Sequence, residues 1–382
     1  MTFAFLSHLD MNLYLFRLPI MRALVAKGHT VYAVCPEGEY FHRFAADGIL
    51  TCPYEIDRKS LNPFKELVAL RNIVRALKTI QPDILHTFTA KPNIYGSLAG
   101  KIARVPTIYN LVEGLGSFYV ENTFRNRIMQ GIMEQLYRIA GHISQKTVFV
   151  NNDDPAYFVE HNILAPQKVH IIRSVGVDTN EFHPANFDQE RLRQDYADLL
   201  QDNHGSVVLM VARAIWHKGL REYLDAAKIL REQFPTATFL LAGDIDEGNP
   251  SSATREFLQT QTHVRWLGHR DDIAALTALC DLYVLPSYRE GVPRTLLEAA
   301  SMGKPIVTTD TVGCREVVRH GENGFLVPVR NANALADAIR QLLEDKELCL
   351  TMGRASRTIA TSEFAVEHVV EQYLTLYGVD QA

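Results

Sequence analysis

One short segment places two carboxylates around a turn that favours binding of an anion. In EGVPRTLLE, Glu290 and Glu298 lie on either side of a glycine and a proline, and the apolar residues that follow predict a buried helix face. The proline suits the first helical position, so Arg294, Thr295 and Leu296 would present free N–H groups at the positive end of the helix dipole. These amides would bind an anion, while the carboxylates accept hydrogen bonds from neighbouring hydroxyl groups.

A second segment supplies fixed positive charge. Arg213 and Lys218 follow an apolar run in VLMVARAIWHKG, where a strand is predicted to end. Two cations at that position are suited to a diphosphate, because arginine makes a forked contact and lysine acts as a point charge. Alone they would be ordinary solvated charges, but the predicted helix start lies at the same edge of the same sheet. Together the two segments predict a nucleotide-sugar site, since that ligand offers both phosphates and hydroxyls.

Apolar runs of strand length alternate with helical patterns along the chain, which is typical of parallel sheets covered by helices on both faces. We predict an α/β fold of two doubly wound, Rossmann-like domains that face a cleft, with ligand at the carboxyl ends of the strands. The first domain is placed at residues 1–172, completed by a C-terminal helix at 364–382, and the second at 173–363. The predicted strands are 3–6, 31–34, 84–85, 106–109, 147–150, 207–211, 238–242, 264–267, 282–285 and 306–308.

Composition indicates a globular protein with two domains, because 382 residues of which 47% are hydrophobic exceed one ordinary core. Residues 1–170 carry 18 Lys and Arg against 14 Asp and Glu, a net +4, and the remainder carries 21 against 30, a net −9. Five scattered cysteines without a CxxC pair argue against a zinc site and indicate a reducing compartment. The N-terminal apolar run contains Asp10 and Arg17, so it predicts neither a signal peptide nor a membrane span.

These motifs resemble those of the family 4 retaining glycosyltransferases of GT-B fold, over essentially the whole chain. The Arg213 and Lys218 pair and the spacing of Glu290 and Glu298 are similar to the family's Arg…Lys pair and E-x7-E motif. Other family-like segments are PIMRALVAKGHTV (19–31), GVDTNEFHP (176–184), LAGD (241–244) and VRWLG (264–268). One subgroup is especially similar, the bacterial protein-glycosylation transferases that add α-1,3-linked N-acetylgalactosamine to undecaprenyl-diphosphate-linked diacetylbacillosamine. The segments that resemble it are SLNPF (60–64), VEGLGSFY (112–119), ARAIWHKG (212–219) and LPSYREGVP (285–293).

The resemblance implies a UDP-sugar donor, no cofactor and no bound metal, although Asp244 and Asp246 spell a DxD sequence. Arg213 and Lys218 would neutralise the departing diphosphate, while Glu298 binds the ribose hydroxyls and Glu290 those of the sugar. Retention would follow from front-face attack in which a donor phosphate oxygen takes the acceptor proton. The remaining donor contacts would be Gly291, Val292, Pro293, Arg294 and Thr295 for sugar and phosphate, and the backbone at Arg265 and Gly268 for uracil.

The acceptor side departs from the family at two positions. The first strand is followed by SHLDMNLYLFR instead of a glycine-rich turn, and Glu113 stands where many relatives have a histidine. Glu113 is interpreted as a base or as a group that positions the acceptor hydroxyl, and a loop-capping carboxylate is the structural alternative. The other residues expected near the acceptor follow predicted strand ends in the first domain: Ser7, His8, His86, Lys91, Asn93, Gly114 and Gly116.

The acceptor lipid cannot leave the bilayer, so the first domain is expected to lie peripherally on the cytoplasmic face of the inner membrane. Lys65, Arg71, Arg75 and Lys78 on one helical pattern would contact the anionic leaflet. In the structural alternative, the apolar positions of that helix face the sheet, as is normal for this fold, and the basic residues are simply solvated. No nucleic-acid partner is expected. Open alternatives are a UDP-galactose donor, another lipid-linked acceptor, a sugar-nucleotide 2-epimerase and a non-catalytic UDP-sugar-binding subunit.

Overall fold

The computed structural model describes residues 1–57, 62–121, 123–200 and 204–379. The chain divides into two compact units, one formed by Met1–Val175 with Val369–Ala382 and the other by Gly176–His368. Ser60 and Leu61 of the SLNPF segment lie outside the described residues, as do the last three residues of the predicted C-terminal helix. Each unit contains one parallel sheet with helices packed on it, as the alternating pattern predicts.

The first unit is built on a seven-stranded sheet in the order β3-β2-β1-β4-β5-β6-β7. Phe5 of the central strand lies opposite Ala33 on one side and His86 on the other, and all three are fully buried. The order reverses between β1 and β4, which is where doubly wound sheets open a ligand crevice. The strands are β1 Thr2–Leu6, β2 Thr30–Cys35, β3 Leu50–Pro53, β4 Ile84–Phe88, β5 Thr107–Val112, β6 Lys146–Phe149 and β7 Val169–Ile171.

Helices on the first sheet bury one apolar face each. Their bounds are α1 Asp10–Ala26, α2 Pro63–Ile80, α3 Ala90–Ala103, α4 Phe124–Ile143 and α5 Asp153–Glu160. Helix α2 departs from the expectation that its apolar positions face the sheet. Leu77 is buried, but Phe64 is 82% and Leu67 64% exposed, so its first turns leave apolar side chains in solvent.

The second unit contains a six-stranded parallel sheet in the order β10-β9-β8-β11-β12-β13, which reverses between β8 and β11. Its strands are β8 Val207–Val211, β9 Thr238–Ala242, β10 Arg265–Gly268, β11 Leu282–Leu285, β12 Ile306–Thr309 and β13 Gly324–Val327. The helices before, between and after them are α6 Gln189–Asp195, α7 Leu220–Leu230, α8 Arg255–Gln259, α9 Ile273–Leu279, α10 Arg294–Ser301, α11 Cys314–Val317, α12 Ala332–Glu344 and α13 Lys346–Glu363.

The C-terminal helix begins later than predicted. Helix α13 ends at Glu363, and α14 runs over Val366–Tyr377. The chain at Gly176 packs against the start of α14, where a Cβ would come within 2.7 Å of the Val366 Cα, and Val177 bonds the segment between the two helices through Phe364 and Val366. Tyr377 at the end of α14 is buried against Phe3 of the first sheet, with ring centroids 5.3 Å apart. Among the described residues, no helix is both long and apolar enough to cross a membrane.

Candidate active site

Lys218 and Glu290 meet at the carboxyl ends of β8 and β11, which are neighbours in the second sheet. The Lys218 Nζ lies 2.5 Å from Glu290 Oε1, and Ser287 Oγ donates to the same oxygen at 2.6 Å. The Glu290 amide donates to the Val312 carbonyl at 3.1 Å, which fixes the loop that carries the carboxylate. The unit therefore holds an ammonium and a carboxylate in contact, with both side chains mostly buried.

Gly219 explains how the two loops approach so closely. It ends a short 3₁₀ turn, Trp216–Lys218, in the left-handed conformation at φ 75°. A Cβ at this position would lie 2.0 Å from the Pro286 carbonyl oxygen, so a side chain would force the loop after β8 away from the loop after β11. The glycine thus permits the Lys218–Glu290 contact.

Arg213 lies nearby in sequence but is bound to a different loop. Its Nη1 donates to Asp246 Oδ2 at 2.6 Å, and its side chain is 56% exposed. The other carboxylate of the DxD sequence, Asp244, faces the Arg255 guanidinium at 3.6 Å. Within the part of the chain that the structure describes, no three His, Cys, Asp or Glu side chains gather as a metal site.

Helix α10 begins one residue later than predicted. Pro293 is its N-cap and Arg294 its first residue, and the Leu296 amide donates to the Pro293 carbonyl at 3.0 Å. The prediction of a free Leu296 amide is therefore wrong, because the first turn closes tightly and uses that donor. The Arg294 side chain forms an ion pair one turn further along the helix, with Nε 2.8 Å from Glu298 Oε1.

Glu298 is the buried member of the predicted donor site. Burial raises the pKa of Glu298 to about 7, and the Arg294 guanidinium opposes that shift without cancelling it. Gly291, Val292 and Thr295 are half-buried around this helix start, whereas the Pro293 side chain is buried. The carboxylate is thus buried at the start of α10, in contact with the Arg294 guanidinium.

The two residues predicted to contact uracil, Gly268 and Arg265, have different surroundings. Gly268 has φ 67° and open space where a Cβ would lie, and its carbonyl accepts from the Gly243 amide at 2.7 Å. The Arg265 side chain is directed elsewhere, to the Asp198 carbonyl. Trp266 lies between them and donates through Nε1 to the Gly243 carbonyl at 2.8 Å. The space beside the Gly268 Cα is therefore open, while the side chain of Arg265 is already bound to the Asp198 carbonyl.

In the first unit, the carboxyl ends of β1, β4 and β5 lie side by side and gather several predicted residues. His8 follows β1 and its Nδ1 contacts the Thr89 hydroxyl after β4. Thr89 has φ 74°, a conformation that strains a β-branched residue. Glu113 follows β5, and Gly114 and Gly116 continue the chain with φ 148° and 84°. This sheet edge is the candidate acceptor site.

Glu113 is bound from the protein side by two residues of α1. Arg17 Nη2 forms an ion pair with Glu113 Oε1, and Asn12 Nδ2 lies 3.4 and 3.3 Å from the two carboxylate oxygens. The Arg17 side chain is fully buried, and the Glu113 side chain is 26% exposed. The Glu113 carboxylate is therefore bound by α1 on its buried side, and only a minor part of the side chain is exposed.

Burial corrects the prediction for three acceptor residues, because their side chains have no exposed surface. His86 lies in β4 with Nδ1 2.5 Å from Tyr377 Oη, and burial together with Arg17 lowers its pKa well below the usual value. Asn93 accepts from Thr87 Oγ1 at 2.7 Å and donates to a main-chain carbonyl. Ser7 is equally buried. These side chains stabilise the sheet edge from within.

Lys91 is directed toward α2. Its Nζ lies 2.6 Å from Glu66 Oε1 and 2.8 Å from the Asp57 carbonyl. The contact ties the start of α3 to the start of α2 and leaves the side chain mostly buried. Lys91 thus supports the loop in front of the sheet edge.

Both units of the chain are similar to known glycosyltransferase families. The family model described as Glycosyl transferase 4-like matches residues 3–152, and that of Glycosyl transferases group 1 matches residues 193–359. The chain is 36% identical over 377 residues to the N,N'-diacetylbacillosaminyl-diphospho-undecaprenol alpha-1,3-N-acetylgalactosaminyltransferase of Campylobacter jejuni, covering 99% of this chain and 98% of the relative. This chain belongs to the family 4 glycosyltransferases.

Two further relatives bear on this glycosyltransferase. The UDP-Gal:alpha-D-GlcNAc-diphosphoundecaprenol alpha-1,3-galactosyltransferase of Escherichia coli is 26% identical over 84% of this chain and 81% of its own. The crystal structure of Anabaena HepE in complex with UDP has a TM-score of 0.80 at 21% identity, covering 99% of this chain and 100% of the other. The likeness shows the fold and confirms the predicted α/β, GT-B class.

Two sets of contacts beside the predicted site residues were not predicted from the sequence. Arg17 and Asn12 reach Glu113 from α1, and the signal was a charged residue inside the apolar run LYLFRLPIM. Tyr288, beside Glu290, donates to Glu222 Oε1 at 2.9 Å, and Arg330 lies over its ring at 4.8 Å. No sequence motif indicated this second set, because its members come from three separated segments.

Proposed function

We propose that this glycosyltransferase moves N-acetylgalactosamine from UDP-N-acetylgalactosamine to undecaprenyl-diphosphate-linked diacetylbacillosamine, forming an α-1,3 linkage. The observation that carries the proposal is the 36% identity, over nearly the full length of both chains, with a relative whose name states that acceptor and that linkage. The polar groups at the carboxyl ends of β8 and β11 support the donor half of the reaction.

The donor half is assigned to Arg213, Lys218 and Glu290. Negative charge develops on the diphosphate as the glycosidic bond breaks, so cations fixed beforehand stabilise the transition state more than the ground state. Lys218 is held at 2.5 Å by Glu290, which limits its reorientation when the donor binds. Glu290 then accepts hydrogen bonds from sugar hydroxyls, and Lys218 neutralises the departing UDP.

The nucleoside half is assigned to the start of α10 and to Gly268. Glu298 would accept hydrogen bonds from the ribose hydroxyls, and its contact with Arg294 at 2.8 Å orients the carboxylate. The open space at Gly268 would receive the uracil ring. Main-chain groups from Gly291 to Thr295 would contact sugar and phosphate, which suits a helix start.

We further propose that the transfer retains the anomeric configuration and needs no metal. In this mechanism the acceptor hydroxyl attacks the face from which UDP leaves, and a donor phosphate oxygen takes the hydroxyl proton. Arg213 and Lys218 supply the positive charge that stabilises the leaving diphosphate. NMR of the product anomeric proton tests retention, and activity after chelation with EDTA tests metal independence.

UDP-galactose is the second donor to consider, because the 26%-identical Escherichia coli relative is named for it. The deciding experiment crosses UDP-N-acetylgalactosamine and UDP-galactose with undecaprenyl-diphosphate-linked diacetylbacillosamine and N-acetylglucosamine. The proposed function expects transfer with the first donor and the first acceptor. UDP release that does not depend on added lipid would instead support an epimerase, and no turnover with any pair would support a binding subunit.

We propose a peripheral position on the cytoplasmic face of the inner membrane, because the acceptor lipid stays in the bilayer. Exposed apolar side chains on α2 and α4 support this position, with Phe64 at 82% and Phe124 at 80% exposure. Helix α3 packs against both helices. Exposed basic residues on the same two helices would face the anionic leaflet: Lys65, Arg71, Arg75, Lys78, Arg125 and Arg127. The two phenylalanines and these six basic residues together form the membrane face.

A further inference from the structure

One cavity of the second unit lies at the opposite end of its sheet from the donor loops. Its walls include Ser206, Asp281 and Pro305, which directly precede β8, β11 and β12, whereas Lys218 and Glu290 follow β8 and β11. A strand rises about 3.3 Å per residue, so the five residues of β8 separate the two ends by roughly 16 Å. A ligand in this amino-end cavity would therefore not touch the reacting atoms.

The amino-end cavity has the size and the apolar surface of a small-molecule site. Its volume is about 760 Å³, and pockets for single small molecules fall in this range. Part of its wall is apolar, formed by Met302 directly after α10, Leu342 of α12 and Leu350 of α13. Leu350 is 53% exposed, so some of this apolar surface is in contact with water. An apolar group of a ligand would remove that surface from water on binding.

The wall of the cavity is built on a close contact between α10 and α13. A Cβ at Gly353 would lie 2.3 Å from the Gly303 carbonyl oxygen, so only glycine permits this approach. Arg357 joins the same two helices, because its Nη1 donates to the Ser301 carbonyl at 2.6 Å and to Ser301 Oγ at 2.7 Å. Its Nη2 donates to the Thr179 carbonyl at 3.0 Å. The cavity is thus formed before a ligand binds, which lowers the cost of ordering it.

Basic side chains at the cavity carry positive charge that no carboxylate balances. Among the described residues, Lys304, Arg354 and Arg357 form no ion pair, and Lys304 Nζ donates to the Ala278 carbonyl at 2.8 Å. These cations lie in the part of the chain, residues 171–382, that has a net charge of −9. A cleft lined by one sign of charge raises the local concentration of ligands of the opposite sign.

Asp281 also lines the cavity, but its carboxylate is already bound. Its Oδ2 lies 3.2 Å from Arg193 Nη2 and accepts from a main-chain amide at 2.7 Å. Asp281 therefore balances Arg193 and leaves the charges of Lys304 and Arg354 for an anion.

We propose that the amino-end cavity binds a small organic phosphate whose uncharged part is apolar. Lys304 and Arg354 would contact the phosphate oxygens, because ammonium and guanidinium groups form charge-assisted hydrogen bonds with phosphate. The apolar part of the ligand would lie against Met302 and Leu350. This inference goes beyond the proposed function, because the cavity belongs neither to the donor site nor to the candidate acceptor site.

Calorimetry on the purified full-length protein tests the site with three probes. Geranyl phosphate carries both the phosphate and an apolar chain, inorganic phosphate carries the charge alone, and geraniol carries the chain alone. Geranyl phosphate should bind at least about tenfold more tightly than either of the other two, because only it uses both parts of the wall. Saturating UDP should leave its affinity unchanged, since UDP would occupy the opposite end of the sheet.

Variants of the wall locate the binding. Lys304→Gln with Arg354→Gln should weaken geranyl phosphate binding by about tenfold or more, because both contacts to the phosphate are lost. Leu350→Ser should weaken it by about three- to tenfold through the lost apolar contact. Arg354 and Leu350 are exposed, so these changes should leave the melting temperature nearly unchanged.

The matched control for Arg354→Gln is Lys228→Gln, which removes one exposed cation of α7 in the same unit and away from the cavity. Lys228→Gln should bind geranyl phosphate as the wild type does, whereas Arg354→Gln alone should bind it about threefold or more weakly.

Several results would overturn the inference. A wild type that does not bind geranyl phosphate, or a double variant that binds it as tightly as the wild type, would remove the site. Equal affinities for inorganic phosphate and geranyl phosphate would show that the apolar wall has no part in binding. Displacement of geranyl phosphate by UDP would assign the probe to the donor site. Failure of the proposed function is observed separately, as a wild type without lipid-dependent UDP release.

Discussion

The two units differ in where their polar groups lie. In the second unit, Arg213, Lys218 and Glu290 lie in loops after strands, contact opposite charges and keep some exposed surface. In the first unit, His86 and Asn93 lie within a strand and a helix and are completely buried. A parallel sheet covered on both faces buries the side chains of its central strands, so polar residues gain access to a ligand mainly beyond the strand ends.

The largest effect is expected for the cations in the loop after β8 of the second unit. Lys218→Ala or Arg213→Ala should lower turnover by about 10²- to 10³-fold, comparable to losing one preorganised group at a charge-developing oxygen. The melting temperature should change little for Arg213, which is half-exposed. Steady-state kinetics at saturating acceptor would measure the loss.

The matched control is Lys346→Ala, which removes an exposed lysine at the start of α13 in the same unit. It should retain wild-type turnover. If Lys218→Ala and Lys346→Ala were equally active while folded, the Lys218–Glu290 contact would have no role in the leaving of UDP.

Glu290 and Glu298 provide the next comparison, because the structure gives them different surroundings. Glu298→Gln should weaken UDP binding by about 1.5–3 kcal/mol, the range for a hydrogen bond to a charged group. Glu290→Gln should leave UDP affinity nearly intact and reduce turnover, since its proposed partners are sugar hydroxyls. Calorimetry with UDP alone measures the first effect. Equal losses of UDP affinity in both variants would contradict this division of roles.

Sequence reasoning predicted the second unit better than the first for a physical reason. Lys218 and Glu290 lie in short loops whose glycines and prolines mark them as turns. The sequence therefore indicates both the charge of each residue and its position after a strand. The Arg17–Glu113 contact joins residues 96 positions apart, and no local pattern reports it. The edge strands β3, β7 and β13 were missed because they have only three or four residues each and are only partly buried.

The first unit is proposed to bind the membrane through exposed residues of its helices, whereas the second unit is proposed to bind its donor through charged loops. Changing Lys65, Arg71, Arg75 and Lys78 to Gln should weaken binding to anionic liposomes by about tenfold, less than four full contributions of about 1 kcal/mol each. Lys65 is already paired with Asp57 at 3.0 Å, which reduces its share. Sedimentation with vesicles of defined composition measures the binding.

A second variant separates charge from insertion. Phe64→Ser with Phe124→Ser should also weaken binding, because each exposed ring would otherwise be removed from water by the lipid. Added salt should weaken binding of this variant and of wild type, and should weaken binding of the variant without the four basic residues less, because only Arg125 and Arg127 remain on its membrane face. Liposome binding unchanged in both variants would place the membrane contact on another surface.

Burial of Glu298 also makes a prediction about stability. Its folded-state pKa, about 7, lies above the ordinary value of 4.5, so the native state holds more protons than the unfolded state between these limits. The free energy of unfolding should therefore fall as pH rises from about 4.5 to 7, and Glu298→Gln should lessen that fall. Denaturant titrations at several pH values would measure the difference, and identical slopes for the two proteins would contradict the assignment.

The same raised pKa predicts the smallest effect, a pH dependence of UDP affinity. Ribose hydroxyls donate to the ionised carboxylate, so UDP binding should release a proton when Glu298 is protonated beforehand. Affinity should therefore fall by about three- to tenfold as pH is lowered from 7.5 to 6, since linkage allows at most tenfold per pH unit for one group. UDP itself titrates in this range, and Glu298→Gln serves as the control because it keeps that contribution and loses the protein's. If the wild type and Glu298→Gln lost affinity equally on acidification, Glu298 would not be the group that binds the ribose.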